Sequence, residues 1–117
     1  MKYQEVVEWL KSYKKKYERI VYLRGMMTAV RAISYEEKLG SMKTLNDYID
    51  EVTQLSNELA VIEQAIDNIP DHYPRLVLGY KYLQYRSFED IAEILNYSTM
   101  NISRLHKKGI KMLCDVM

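Results

Sequence analysis

Cysteine, glycine, proline and long apolar runs are all scarce in this 117-residue chain, and each shortage excludes something. A single cysteine, Cys114, cannot close a disulfide within the chain. Near the end of an apolar helical face it reads as a small packing residue rather than a nucleophile. No apolar stretch approaches the roughly 18 residues of a membrane span, and the first residues lack a signal-peptide core. The expected setting is therefore a reducing cytoplasm with no membrane partner. Four glycines and two prolines leave little loop signal, and no repeat or low-complexity segment is evident. His72 and His106 fall on different segments without cysteine or carboxylate at ligand spacing around both, so neither metal nor cofactor is expected. Acidic residues are plentiful between positions 44 and 69, yet no nucleophile or glycine-rich phosphate loop accompanies them, and the chain does not read as an enzyme.

What is present is helical spacing. Leucine, isoleucine, valine and tyrosine recur three and four residues apart over most of the chain, which predicts an all-α fold. A first helix carries Tyr3, Val6, Leu10, Tyr13, Tyr17 and Ile20 as a stripe. It then drifts near Gly25 toward Met26, Val30 and Ile33, where a kink or break is expected. Polar residues and Gly40 interrupt the pattern between positions 34 and 43. Thr44 with Asp47 three residues later is a capping signal for a second helix. That helix places Leu45, Tyr48, Val52, Leu55, Leu59, Ile62, Ile66 and Ile69 at the alternating spacing of a coiled-coil seam, ended by Pro70.

Charge pairs these two helices. Positions 2 to 31 hold eight Lys or Arg against three acids, whereas positions 44 to 69 hold six acids and no Lys or Arg. Opposed charge blocks select partners even though each exposed pair contributes little. Residues 1–69 are therefore expected to form an antiparallel helical hairpin for association. Its leftover tyrosines and methionines point to further pairing into a four-helix homodimer. The alternative is a monomeric five-helix bundle with the hairpin packed directly on the C-terminal segment. The cluster Lys14-Lys15-Lys16 fans over most of a helix circumference and reads as a solvated face opposite the acidic helix, rather than as a nucleic-acid patch.

Residues 70–117 read as a three-helix module built on a helix-turn-helix. Arg75 to Gln84 supplies a supporting helix through Leu76, Val77, Tyr80 and Leu83, with Pro74 tolerated in its first turn. Ser87 with Asp90 opens the next helix, whose apolar residues are Phe88, Ile91, Ile94 and Leu95. Ala92 is small enough for a close helix crossing, and Asn96 tolerates the positive φ that the turn requires. Ser98 can cap the last helix, which turns Ile102, Leu105, Gly109 and Leu113 inward. Its other face then presents Ser98, Thr99, Met100, Ser103 and Arg104, with Lys107, Lys108 and Lys111 extending toward phosphates and His106 flanking them. In this motif the N-terminal end of the second helix meets base edges. Arg104 suits guanine, Thr99 and Ser103 suit bases or phosphate, and Met100 suits a thymine methyl. Four Lys or Arg and no acid lie between positions 96 and 112, in a chain whose net charge is only +1. A plainer account of these cations is that they complement the C-terminal dipole of a solvated helix.

The segments Lys81-Tyr82-Leu83, Ser87-Phe88-Glu89-Asp90-Ile91-Ala92 and Asn96-Tyr97-Ser98, followed by Ile102, resemble the C-terminal DNA-binding region of bacterial sigma factors. With two long helices ahead of that region, the layout resembles small phage and prophage transcriptional activators of the ArpU and RinA type. Two positions depart from the pattern: Asn96 stands where glycine is usual and Gly109 where alanine is frequent. Glycine there costs about 1 kcal/mol relative to alanine, so fraying beyond Gly109 is expected. The resemblance implies a sequence-specific regulator that binds double-stranded DNA and touches RNA polymerase. The competing expectations are a DNA-packaging component like a small terminase subunit, or an interaction protein that retains only the scaffold.

Overall fold

The computed structural model describes residues 1–32 and 44–117. The fold is all-α, with no strand among the described residues. The elements are α1 (Tyr3–Ala32), α2 (Leu45–Asp67), α3 (His72–Leu78) continuing into a π-helical stretch (Gly79–Leu83), α4 (Phe88–Leu95) and α5 (Thr99–Val116). The expected interruption between positions 34 and 43, and Ile33, lie outside the described residues.

α1 runs through Gly25 as one continuous helix, so the expected break there is absent. A Cβ added at Gly25 would have nothing within 4 Å. Gly25→Ala should therefore recover the helix-propensity difference of about 1 kcal/mol and raise the melting temperature. Val6, Leu10, Tyr13 and Ile20 of the α1 stripe are buried, but Tyr17 is 48% exposed and Leu23 is fully buried. A straight helix drifts about 20° per heptad against a strict seven-residue repeat, so the buried stripe slides off the one read by spacing. In α2, Tyr48, Leu59, Ile62, Ile66 and the following Ile69 are buried, and Leu45, Val52 and Leu55 are half-buried. The helix opens with a reciprocal cap. The Thr44 N–H donates to Asp47 Oδ2 at 3.0 Å, and the Asp47 N–H donates to Thr44 Oγ1 at 3.3 Å.

The chain forms two compact units: residues 15–60, and residues 1–14 together with 61–117. The division falls within α1 and α2, and the start of α1 and the end of α2 group with α3, α4 and α5. Within the first unit, Lys16 meets Glu58 at 3.9 Å and Arg19 meets Glu51 at 3.1 Å. Rising numbers in α1 meet falling numbers in α2, which is antiparallel order. Such partly exposed pairs contribute at most about 1 kcal/mol each, so they select the pairing more than they stabilise it. Within the second unit the Tyr13 hydroxyl donates to Glu63 Oε1 at 2.6 Å.

The end of the supporting helix departs from α geometry. The Gln84 N–H donates to the Gly79 carbonyl at 3.2 Å, a five-residue span, and the Arg86 N–H donates to the Tyr80 carbonyl at 3.0 Å. Tyr85 then ends the helix at φ 60°, a left-handed conformation unusual for so bulky a residue. The wider winding changes which side chains face inward. Val77, Leu78 and Tyr82 are buried, whereas Leu76, Tyr80 and Leu83, placed on the stripe by α spacing, are half-buried.

α5 continues past Gly109 to Val116, with Ile110 and Leu113 buried, so the expected fraying is absent. Gly109 lies where α5 approaches α3. A Cβ there would stand 3.0 Å from Leu78 Cδ1, 3.1 Å from Leu78 Cγ and 3.4 Å from the Pro74 carbonyl. Leu78 is fully buried and has little room to yield. In Gly109→Ala, overpacking of about 1 to 3 kcal/mol opposes a propensity gain of about 1 kcal/mol. Thermal melts of the two single variants should therefore move in opposite directions, up for Gly25→Ala and down for Gly109→Ala. A rise in both would show that the α3–α5 approach is looser than these distances.

Candidate nucleic-acid interface

Three local devices set the angle between α4 and α5. Ser87 Oγ accepts the Asp90 N–H at 3.1 Å and starts α4. Asn96 ends it at φ 58°, ψ 45°, as the turn position predicts. The Tyr97 N–H reaches back to the Ala92 carbonyl at 2.9 Å and the Asn96 N–H to the Glu93 carbonyl at 3.4 Å. This pair of bonds is the Schellman closure, and Tyr97 adds the apolar contact that accompanies it. Ser98 Oγ then accepts the Asn101 N–H at 3.1 Å and starts α5. Ala92 sits at the crossing in a buried cluster with Val77, Ile91, Ile102 and Leu105, flanked by half-buried Phe88 and Leu95. Ile94, placed on the inner face by spacing, is 44% exposed.

The outward face of α5 carries the predicted contact residues. Ser98, Thr99, Met100, Arg104, Lys107, Lys108 and Lys111 are exposed, and Ser103 is half-buried. Met100 is 82% exposed, an unusual position for a large apolar side chain in the first turn of a helix. Arg104 donates to Asn101 Oδ1 from Nε at 3.2 Å and from Nη2 at 2.6 Å. Those bonds orient the guanidinium and leave its Nη1 end and second Nη2 hydrogen directed elsewhere. Asn101 was not among the predicted site residues. Its three-residue spacing from Arg104 was the available signal. Lys108 Nζ lies 2.9 Å from Asp71 Oδ2, so this lysine links α5 to the residue preceding α3 as well as adding charge.

His106 belongs to the interior side rather than flanking the outward face. Its Nε2 is 2.6 Å from the Tyr82 hydroxyl, and its ring meets the Phe88 ring edge-on at 5.2 Å. Desolvation, with smaller contributions from the Lys81 and Lys107 charges, lowers its pKa to about 4. Burial likewise raises the Tyr82 phenol to about 12. With both groups neutral we assign the phenol, the stronger donor, as donating to an unprotonated Nε2. A histidine ordinarily titrates near 6.5, so the unfolded chain takes up this proton first as pH falls. The stabilisation is fully present above about pH 6.5 and is lost progressively as pH falls through the window toward 4. Between pH 7 and 4.5 the melting temperature of the natural chain should therefore fall further than that of His106→Gln. Parallel curves would show that the ring is not held neutral.

The candidate site thus consists of a capped, closely packed helix pair whose second member presents polar, apolar and cationic side chains together. Comparisons with protein-family models, with curated proteins and with solved structures gave no match to this chain.

Proposed function

We propose that this chain is a sequence-specific DNA-binding transcriptional regulator of the phage or prophage activator kind, reading the major groove with the first two turns of α5. One observation carries this reading. Thr99, Met100 and Arg104 stand outward on the opening turns of a helix whose orientation is set by the Ala92 crossing and the Asn96 closure. Hydrophobic side chains at that exposure contribute nothing to a core, whereas a thymine methyl suits Met100 and a guanine edge suits Arg104. The lack of acids between positions 96 and 112 keeps the surface attractive to phosphate. Sigma-like placement of the module supports a contact with RNA polymerase. Exposed Tyr17, Val21 and Tyr22 on α1 support a homodimer through the N-terminal helices, which would present two modules to two half-sites.

A binding selection on genome fragments tests the reading. Recovery of a shared sequence is the expected result, and retention without sequence preference would overturn it. The native mass adds a second check: monomer or dimer agrees with a regulator, while a ring of eight or more protomers would assign the module to DNA packaging.

A further inference from the structure

A second cationic site lies away from the outward face of α5. Lys11 and Lys14 of α1 and Lys81 and Arg86 around the π-helical turn line one open cleft of about 330 Å³, together with Tyr85 and Ser87. Water occupies roughly 30 Å³ per molecule, so the space is about ten waters and admits a phosphate with its attached sugar. Lys14 Nζ is 5.5 Å from the centre of the Tyr85 ring, and Lys81 Nζ is 4.9 Å from that of Phe88. The Arg86 Nε donates to Gln84 Oε1 at 3.2 Å, a neutral partner that leaves its charge uncompensated. Among the described residues no carboxylate lines the cleft. Glu8, at 3.9 Å from Lys11, is a mostly exposed neighbour in a weak pair.

Lys16 meets Glu58 of the acidic helix, but Lys14 turns to the cleft. Four cations drawn to one concavity repel one another, and an anion seated among them would relieve that repulsion.

Position says which anion. Ser87 is the N-cap of α4, and α4 at 1.5 Å per residue is about 12 Å long, with the opening turn of α5 at its other end. The major groove is also about 12 Å wide, and in a helix-turn-helix the first helix crosses the phosphate backbone while the second enters the groove. The cleft is joined to α5 on its other side through the Lys81, Phe88 and His106 contacts, beside Lys107. We propose that the cleft of Lys11, Lys14, Lys81 and Arg86 is a phosphate-binding site that seats a backbone phosphate of DNA held by α5. This rests on the DNA-binding reading above and adds to it residues from α1, outside the helix-turn-helix.

The test uses the full chain and the double variant Lys14→Gln with Arg86→Gln, both exposed positions whose replacements keep much of the aliphatic stem. Equal melting temperatures establish folding. Duplex DNA carrying a selected site, or random duplex, is titrated from 50 to 200 mM salt. Two lost phosphate contacts flatten the slope of log affinity against log salt by nearly 2, so the variant's deficit should be about tenfold greater at 50 mM than at 200 mM salt, on both duplexes. Inorganic phosphate is titrated in parallel while the backbone amide signals of Tyr85 and Ser87 are followed by NMR. An unchanged salt slope in a variant that still binds DNA overturns the proposal and leaves the DNA-binding reading standing. Should inorganic phosphate then move those amides in the natural chain and not in the variant, the cleft serves a small phosphorylated ligand instead. Failure of the natural chain to bind any duplex overturns the DNA-binding reading, and with it the assigned occupant, whatever phosphate does.

Discussion

Replacing Ala92 by leucine is expected to abolish DNA binding while leaving the α1–α2 pairing of residues 15–60 helical. Ala92 is 7% exposed and is enclosed by Val77, Ile91, Ile102 and Leu105, three of which are fully buried. Three added carbons have no space there, and overpacking of this kind costs about 1 to 3 kcal/mol or more. The cost falls on the angle between α4 and α5, because the Asn96 closure draws its bond from the Ala92 carbonyl itself. Circular dichroism together with a duplex titration separates the outcomes. Natural affinity in Ala92→Leu would mean that α5 does not depend on this crossing for its orientation.

Arg104→Ala should lose about 1 to 3 kcal/mol at a selected site and relax preference at one base pair, with little change on random duplex. The effect is large because Asn101 already holds the guanidinium on one edge, so less rotamer freedom is lost when a base is met. Asn101→Ala should reproduce part of the same loss without removing the charge. Lys107→Ala supplies the contrast, weakening all sequences about equally and flattening the salt slope by about 1. Identical profiles for the Arg104 and Lys107 variants would remove the distinction between base and backbone contact.

Much of this architecture is legible in the sequence where the determinants are local. The Thr44/Asp47 box, the Ser87 and Ser98 caps and the left-handed Asn96 each involve residues within five positions of one another, and all occur as the spacing predicts. Periodicity also places the α2 stripe correctly. Reading fails where the decisive partner is distant. Gly109 looks like a weak point in a helix until Leu78 is seen beside it, and His106 looks like a surface residue until Tyr82 and Phe88 enclose it. The cleft joins Lys14 to Arg86 across seventy-odd positions of chain, a juxtaposition that no local charge pattern displays. For the candidate face of α5 the exposed positions are legible, but the Asn101 support depends on side-chain rotamers and the Lys108 link to Asp71 on a contact distant in sequence.

The π-helical stretch has a genetic corollary. Each widened turn holds an extra residue compared with the α-helix that precedes it, so the chain before Gly79 and the chain after Leu83 are out of phase by that amount. A point substitution within the stretch alters one contact. Loss of a single codon within it would instead let the helix rewind as α with Val77 and Tyr82 four positions apart, about 40° around the axis, so the buried face survives the change. An inserted codon has no such relief, because the junction already carries its extra residue, so insertion rather than deletion is the in-frame change to which it is most sensitive. Related sequences should therefore shorten this stretch by one residue more readily than they lengthen it.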